Sequence, residues 1–188
     1  SFEEKEGQSS LAASAILDLW KQPEFQKADV VHLHVTTAAY FSYLLLPSLA
    51  AKPLVWSIYE AQPYTAGCYH TVLCKRWLQQ QCRQCPLVAA EKQARQEELY
   101  LLKKALYGMA SFAAVTSNSW LTGEVKQSIL APRLAGEIPL AIGPEFFKRV
   151  EKEQLRQRLN IPKDAFVMAF AAPGGMSNPL YGGEMLRQ

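Results

Sequence analysis

Asp29-Val30-Val31-His32-Leu33-His34-Val35 and Pro53-Leu54-Val55-Trp56-Ser57-Ile58 are the two stretches that decide the fold. Each is a short apolar run bounded by turn-forming residues, which reads as a buried strand. Proline opens the second, where no ladder donor is needed. Between them, Thr36 or Thr37 caps a helix expected to run through about Ala50, with Pro47 limiting or kinking its end. Upstream, Leu11, Ala12, Ala15, Ile16, Leu19 and Trp20 recur at helical spacing. Ser9 or Ser10 caps that helix and Pro23 ends or closely follows it. Downstream, Ala89–Tyr107 reads as a surface helix with one buried face and Gly108 as its C-cap. Ser111–Thr116 reads as a third strand, and Ser117 as the N-cap of a helix through Trp120, Leu121 and Val125. Ile138–Ile142 is the expected fourth strand.

Strands alternating with helices predict parallel βαβ units and an α/β, doubly wound sheet. Ligands of such sheets bind beyond the strand C-terminal ends, which singles out the segments near His34, Tyr59 and Gly174. The composition then changes. Pro144–Arg149 reads as a linker, Glu151–Leu159 as a charged exposed helix, and Ile161–Asp164 as a turn. Ala165–Ala172 reads as another apolar strand, followed by glycines at 174, 175, 182 and 183. The expected division is residues 1–145 for one domain and 146–188 for a linker and the opening of a second.

The formal net charge of +3 is too small to imply nucleic acid, and basic residues form no stripe with interleaved aromatics. The longest apolar run, Ala38–Ala51, carries Ser42, Pro47 and Ser48 and is too short to cross a bilayer. Phe2-Glu3-Glu4-Lys5-Glu6 does not read as a secretory signal, so the cytoplasm is the expected compartment.

Residues 59–87 form a long irregular segment, of the kind that is functional or braced. It holds all four cysteines, Cys68, Cys74, Cys82 and Cys85, spaced C-x5-C-x7-C-x2-C, with His70 beside the first. The C-x2-C half suits a zinc knuckle, because both thiolates can meet one ion. Disulfides, reduced packing thiols, and an iron–sulfur or redox role are the alternatives. Lys75, Arg76 and Arg83 are expected to lower the thiol pKa values.

Several of these segments resemble motifs of one enzyme family. Asp29–His34 resembles the "D-I-I-H-L-H-N" strand of family 4 (group 1) glycosyltransferases, and Leu54–Glu60 their "V-V-W-T-L-H-D" strand. Pro63–Cys68 is similar to "P-F-T-G-G-C", and Cys82–Leu87 to "C-G-N-C-P-Q-L" of an exopolysaccharide branch. Val115–Leu121 is similar to "V-T-P-S-K-W-L", Ile138-Pro139 with Phe146-Phe147-Lys148 to "I-P-N-G-I-D-x-x-x-F-K", and Asn178–Gly183 to "N-P-x-K-G-G".

The resemblance implies a GT-B protein: a Rossmann-like acceptor-side domain followed by the start of a Rossmann-like donor domain. It implies sugar transfer from a nucleotide-sugar, with retention, to a saccharide or lipid-linked acceptor in polysaccharide biosynthesis. His34, Tyr59, Glu60 and Ser117 would hold the acceptor, and Gly174, Gly175, Gly182 and Gly183 the donor diphosphate. No cofactor beyond that cosubstrate is needed for the chemistry, and a structural zinc fits the cysteines. Nucleic acid is not an expected partner, whereas peripheral association with the inner membrane face is.

This sequence departs from the pattern where the family has His-Asp, since Tyr59-Glu60 stands there. Leu140–Gly143 replaces "N-G-I-D", and Tyr181 replaces the lysine that reaches the diphosphate. A phenol titrating near 10 cannot replace imidazole as a proton carrier at neutral pH. The part of the family's donor domain that carries its paired-glutamate "E-x7-E" segment is expected beyond Gln188, so the isolated chain is expected to be inactive. The alternative function is a non-catalytic binding or assembly module built on the same fold.

Overall fold

The structure is a computed structural model that describes residues 19–34, 36, 41–71, 74–148, 150–172, 175–177 and 183–186. It divides into two compact units, Ser1–Ala141 and Ile142–Gln188, a boundary four residues before the expected one.

In the first unit a 3₁₀ turn at Leu19–Lys21 precedes α1 (Pro23–Lys27). Most of the helix expected over residues 9–20 lies outside the described residues. Pro23 follows the Leu19–Lys21 turn closely, as expected, and also opens α1, where its missing N–H costs nothing. Lys52 donates to Gln26 O and Ala28 O at the end of this helix, at 2.9 and 2.7 Å. β1 (Val31–Leu33) follows, then a 3₁₀ turn at Tyr43–Leu45 and α2 (Leu46–Leu49). Residues 37–40 of the expected helix lie outside the described residues. Pro47 sits in the first turn of α2, not at its end. β2 (Leu54–Ile58) leads into the cysteine segment, which contains a 3₁₀ turn at Gln62–Tyr64 and α3 (Arg76–Gln79).

α4 (Gln93–Met109) buries Leu99, Tyr100, Lys103, Leu106 and Tyr107, the one-sided spacing of an amphipathic helix. Gly108 is inside the helix, not its cap. The chain turns extended at Ala110 and enters the sheet directly, so no left-handed cap is needed. β3 (Ala113–Thr116) precedes α5 (Ser119–Val125). The cap is Asn118, one residue beyond the expected Ser117, and its Oδ1 accepts the Leu121 N–H at 2.9 Å. β4 is Leu134–Glu137, four residues before the expected strand. Gly136 and Ala135 are poor strand formers taken alone. Pairing with β3 overrides that preference, and Ile138 adds one further bond to Thr116 O at 2.8 Å.

The four strands are parallel in the order β1-β2-β3-β4, with Val31 beside Leu54, Val55 beside Ala113, and Ala114 beside Leu134. This is an α/β, Rossmann-like sheet with helical crossovers. Paired residues share a face, so Leu33, Trp56 and Ala114 point one way and His32, Val55 and Ala113 the other. The first face meets an aromatic stack. Trp56 lies 5.7 Å from Tyr43, 5.8 Å from Tyr107 and 5.8 Å from Phe112, ring centre to ring centre. Tilted and edge-on pairs of this kind each add about 1 kcal/mol beyond simple burial.

In the second unit a 3₁₀ turn at Pro144–Phe147 precedes α6 (Lys152–Arg158), exposed as expected. Asn160, at φ 53°, ends this helix. Ile161 N–H returns to Arg156 O and Asn160 N–H to Gln157 O, the paired bonds of a Schellman motif. The strand expected over residues 165–172 does not form. Phe166 and Met168 are exposed, and no ladder partner pairs with them among the described residues. A second parallel sheet is likewise absent among the described residues.

Trp56→Ala removes the centre of the stack and is expected to cost about 4 kcal/mol, measured as a fall in the urea midpoint at unchanged slope.

Candidate functional site

Parallel pairing brings all four strand C-termini to one edge of the sheet, and each carries a polar group. His34 follows β1, Tyr59 and Glu60 follow β2, Ser117 follows β3, and Glu137 ends β4. His34 Nδ1 lies 2.7 Å from the Tyr59 hydroxyl, with the two rings nearly parallel at 5.9 Å. His32 stands 3.8 Å from His34, ring to ring, and its Nε2 is 2.9 Å from Ser57 Oγ. Burial, and then the neighbouring His34 charge, hold the His32 imidazole below its ordinary value of 6.5. Ile58 pairs with Thr116, so Tyr59 and Ser117 leave adjacent strands at the same level. The expected acceptor-side residues His34, Tyr59, Glu60 and Ser117 therefore share one rim.

Sequence reasoning missed Glu137, because the fourth strand was expected further along. Thr122 connects it to β3: its hydroxyl lies 2.6 Å from Thr116 Oγ1 and 2.9 Å from Glu137 Oε2. The sequence Leu134-Ala135-Gly136-Glu137 carries no apolar alternation, and the two-residue pattern appears only in its burial, half-buried at 134 and 136 and exposed at 135 and 137.

Gly175 and Gly183 lie in two short 3₁₀ turns that pack together. Gly175 takes φ 60°, a left-handed conformation that favours glycine. A Cβ on Gly183 would stand 2.6 Å from the Met176 backbone, so that close approach admits only glycine. Gly174 and Gly182 lie outside the described residues, as do Asn178, Pro179 and Tyr181.

The cysteine segment is braced by buried polar groups that the sequence reading passed over. Lys103 of α4 donates to Gln62 O, Thr65 O and Ala66 O at 2.8, 3.0 and 3.2 Å, and its ammonium sits 4.4 Å from the Tyr43 ring centre. Burial lowers this lysine to about 7, against the pull of Cys82, Cys68 and Glu60. Three carbonyl acceptors need three N–H donors, which only the ammonium has. Tyr107 donates to Pro63 O and Tyr100 to Trp77 O. Glu124 of α5 receives Thr71, Tyr64 at 3.4 Å and Lys75 at 2.8 Å. Burial, then the Glu124 charge, raises the Tyr64 phenol well above its usual value.

All four cysteines line one small cavity of about 10 Å³, together with His70, Arg76 and Trp77. Cys82 and Cys85 are buried, and Cys68 and Cys74 half-buried. As they stand, no three His, Cys, Asp or Glu side chains among the described residues are disposed to hold a metal ion. Cys82 does not show the expected lowering of thiol pKa. Burial pushes it up to about 11, while Lys75 is engaged by Glu124 and Arg83 by Glu97. Cys82 is thus a neutral thiol near pH 7, not an activated nucleophile.

No known protein family, curated protein or solved structure matches this chain. None of the described helices is long and apolar enough to cross a membrane.

Two outcomes follow from this geometry. Lys103→Met strands three buried carbonyls and is expected to cost about 3 kcal/mol, read from chemical denaturation together with faster proteolysis within residues 59–87. In an NMR pH titration, His32 is expected to titrate below 6.5 and to move upward in His34→Gln. Because the folded state disfavours the His32 cation, its contribution to stability is present above pH 6.5 and is lost as pH falls toward its folded pKa.

Proposed function

We propose that this chain forms the acceptor-side wall of a nucleotide-sugar-dependent glycosyltransferase acting in polysaccharide biosynthesis. The observation that carries the reading is the polar rim at the strand C-termini: imidazole, phenol, hydroxyl and two carboxylates on adjacent parallel strands. A polyhydroxylated acceptor needs this mixture of donors and acceptors in a fixed array. His34 and Tyr59 are held by their mutual hydrogen bond, and Glu60, Ser117 and Glu137 present oxygens to sugar hydroxyls. Glu60, Glu137 and the His34 imidazole are groups able to take a proton from an attacking hydroxyl. The donor diphosphate would meet backbone N–H groups near Gly174, Gly175, Gly182 and Gly183. The acceptor is a saccharide or a lipid-linked saccharide, which places the enzyme in the cytoplasm at the inner membrane face.

A second reading, a binding or assembly module without catalysis, is favoured by one observation. The residue bonded to His34 at the end of β2 is a tyrosine, whose phenol does not carry protons at neutral pH. The two readings separate experimentally. Oligosaccharide titration by calorimetry is expected to give saturable binding that weakens about tenfold in His34→Ala and in Tyr59→Ala. Nucleotide-sugar consumption by the full-length gene product, monitored by released nucleotide, is expected if it transfers sugar and absent if it only binds. Unchanged saccharide affinity in both variants overturns the placement of the acceptor at this rim.

A further inference from the structure

We propose that Cys68, Cys74, Cys82 and Cys85 bind a single thiophilic divalent cation, zinc, which closes the cysteine segment around the cavity they line.

Two residues that line the cavity, Ala66 and Trp77, carry buried N–H donors. The Ala66 N–H donates to Cys82 Sγ at 3.3 Å. Trp77, another lining residue, is 2% exposed, and its indole N–H is buried with no acceptor among the described residues. An indole N–H is a donor only and normally finds a partner when buried. Lys103 is also 2% exposed. It bonds three carbonyls and, among the described residues, no carboxylate, while Cys82, Cys68 and Glu60 are the negative groups whose fields reach it. Arg76, half-buried in the cavity wall, donates to Arg83 O and Gln84 Oε1. A buried cation without an anion carries a large desolvation cost.

Four thiolates around a divalent ion carry a net charge of −2, which Lys103 and Arg76 would offset. They also supply acceptors for Trp77 and Ala66. Two disulfides are neutral and would leave both cations and the indole as they are. The cavity of about 10 Å³ has room for one small ion. Binding releases the four thiol protons and draws the sulfurs to about 2.3 Å from the ion, a convergence they do not have as they stand. The segment gains what a small irregular region needs, a cross-link at its centre.

The test uses the whole chain, grown with added zinc and purified with a phosphine reductant. One zinc per chain by plasma mass spectrometry is expected. Each of Cys68→Ser, Cys74→Ser, Cys82→Ser and Cys85→Ser is expected to lose it, and His70→Ala to keep it. Since a serine variant can misfold, the wild-type chain is also loaded with Co²⁺ in place of zinc. An intense sulfur-to-cobalt charge-transfer spectrum with tetrahedral ligand-field bands is expected, along with four thiols that react with a disulfide reagent only after chelation. A folded, metal-free wild type with thiols open to that reagent overturns the proposal. So do two disulfides in the intact mass, or zinc lost in His70→Ala but kept in a cysteine variant.

Discussion

A buried ammonium without bulk water must find its solvation in the protein, and Lys103 finds it in three carbonyls of one tight turn. That arrangement joins the long helix α4 to the segment leaving β2. Neither partner forms it alone. The helix buries Lys103 only because Leu99, Tyr100, Leu106 and Tyr107 share its face. The turn at Gln62–Tyr64 is buried because the helix covers it. Tyr43 lies on both sides of this junction: its ring faces the ammonium and also leans on Trp56 in the sheet. The irregular segment is therefore tied to the aromatic core, and the residues that end β2 inherit a fixed origin.

The strands and the long helix were legible because hydrophobic runs and helical periodicity are local signals. β2 was placed to within one residue, and β1 lies inside its expected span. What the sequence hid was decided by neighbours. β4 contains alanine and glycine and exists because β3 offers it a ladder, so propensity pointed past it to a more apolar run. The opposite error occurred at residues 165–172, where apolar residues read as a strand find no ladder among the described residues. Proline misled once: Pro47 was read as limiting or kinking a helix end, yet it stands in a first turn.

The rim was legible in part for the same reason. His34, Tyr59 and Ser117 follow strands that announce themselves, whereas Glu137 follows one that does not. Buried polar braces were the least legible. Lys103 and Glu124 look like ordinary surface charges in a helix until tertiary structure supplies the carbonyls and hydroxyls around them. The expected lowering of the cysteine thiols failed similarly at Cys82. Nearness in sequence to Lys75 and Arg83 says nothing of the carboxylates that engage them, or of the dry surroundings of the sulfur.

Glu124 gathers three donors at one end of a short helix. It belongs to α5, a rod of seven residues, about 10 Å long, whose other end is capped by Asn118 beside Ser117. Thr71, Tyr64 and Lys75 pull on the far end of that rod, and the strand termini sit at the near end. So short a helix does not bend between its grips. Through Glu124 and Asn118 this one element joins the cysteine segment to the turn that carries Ser117.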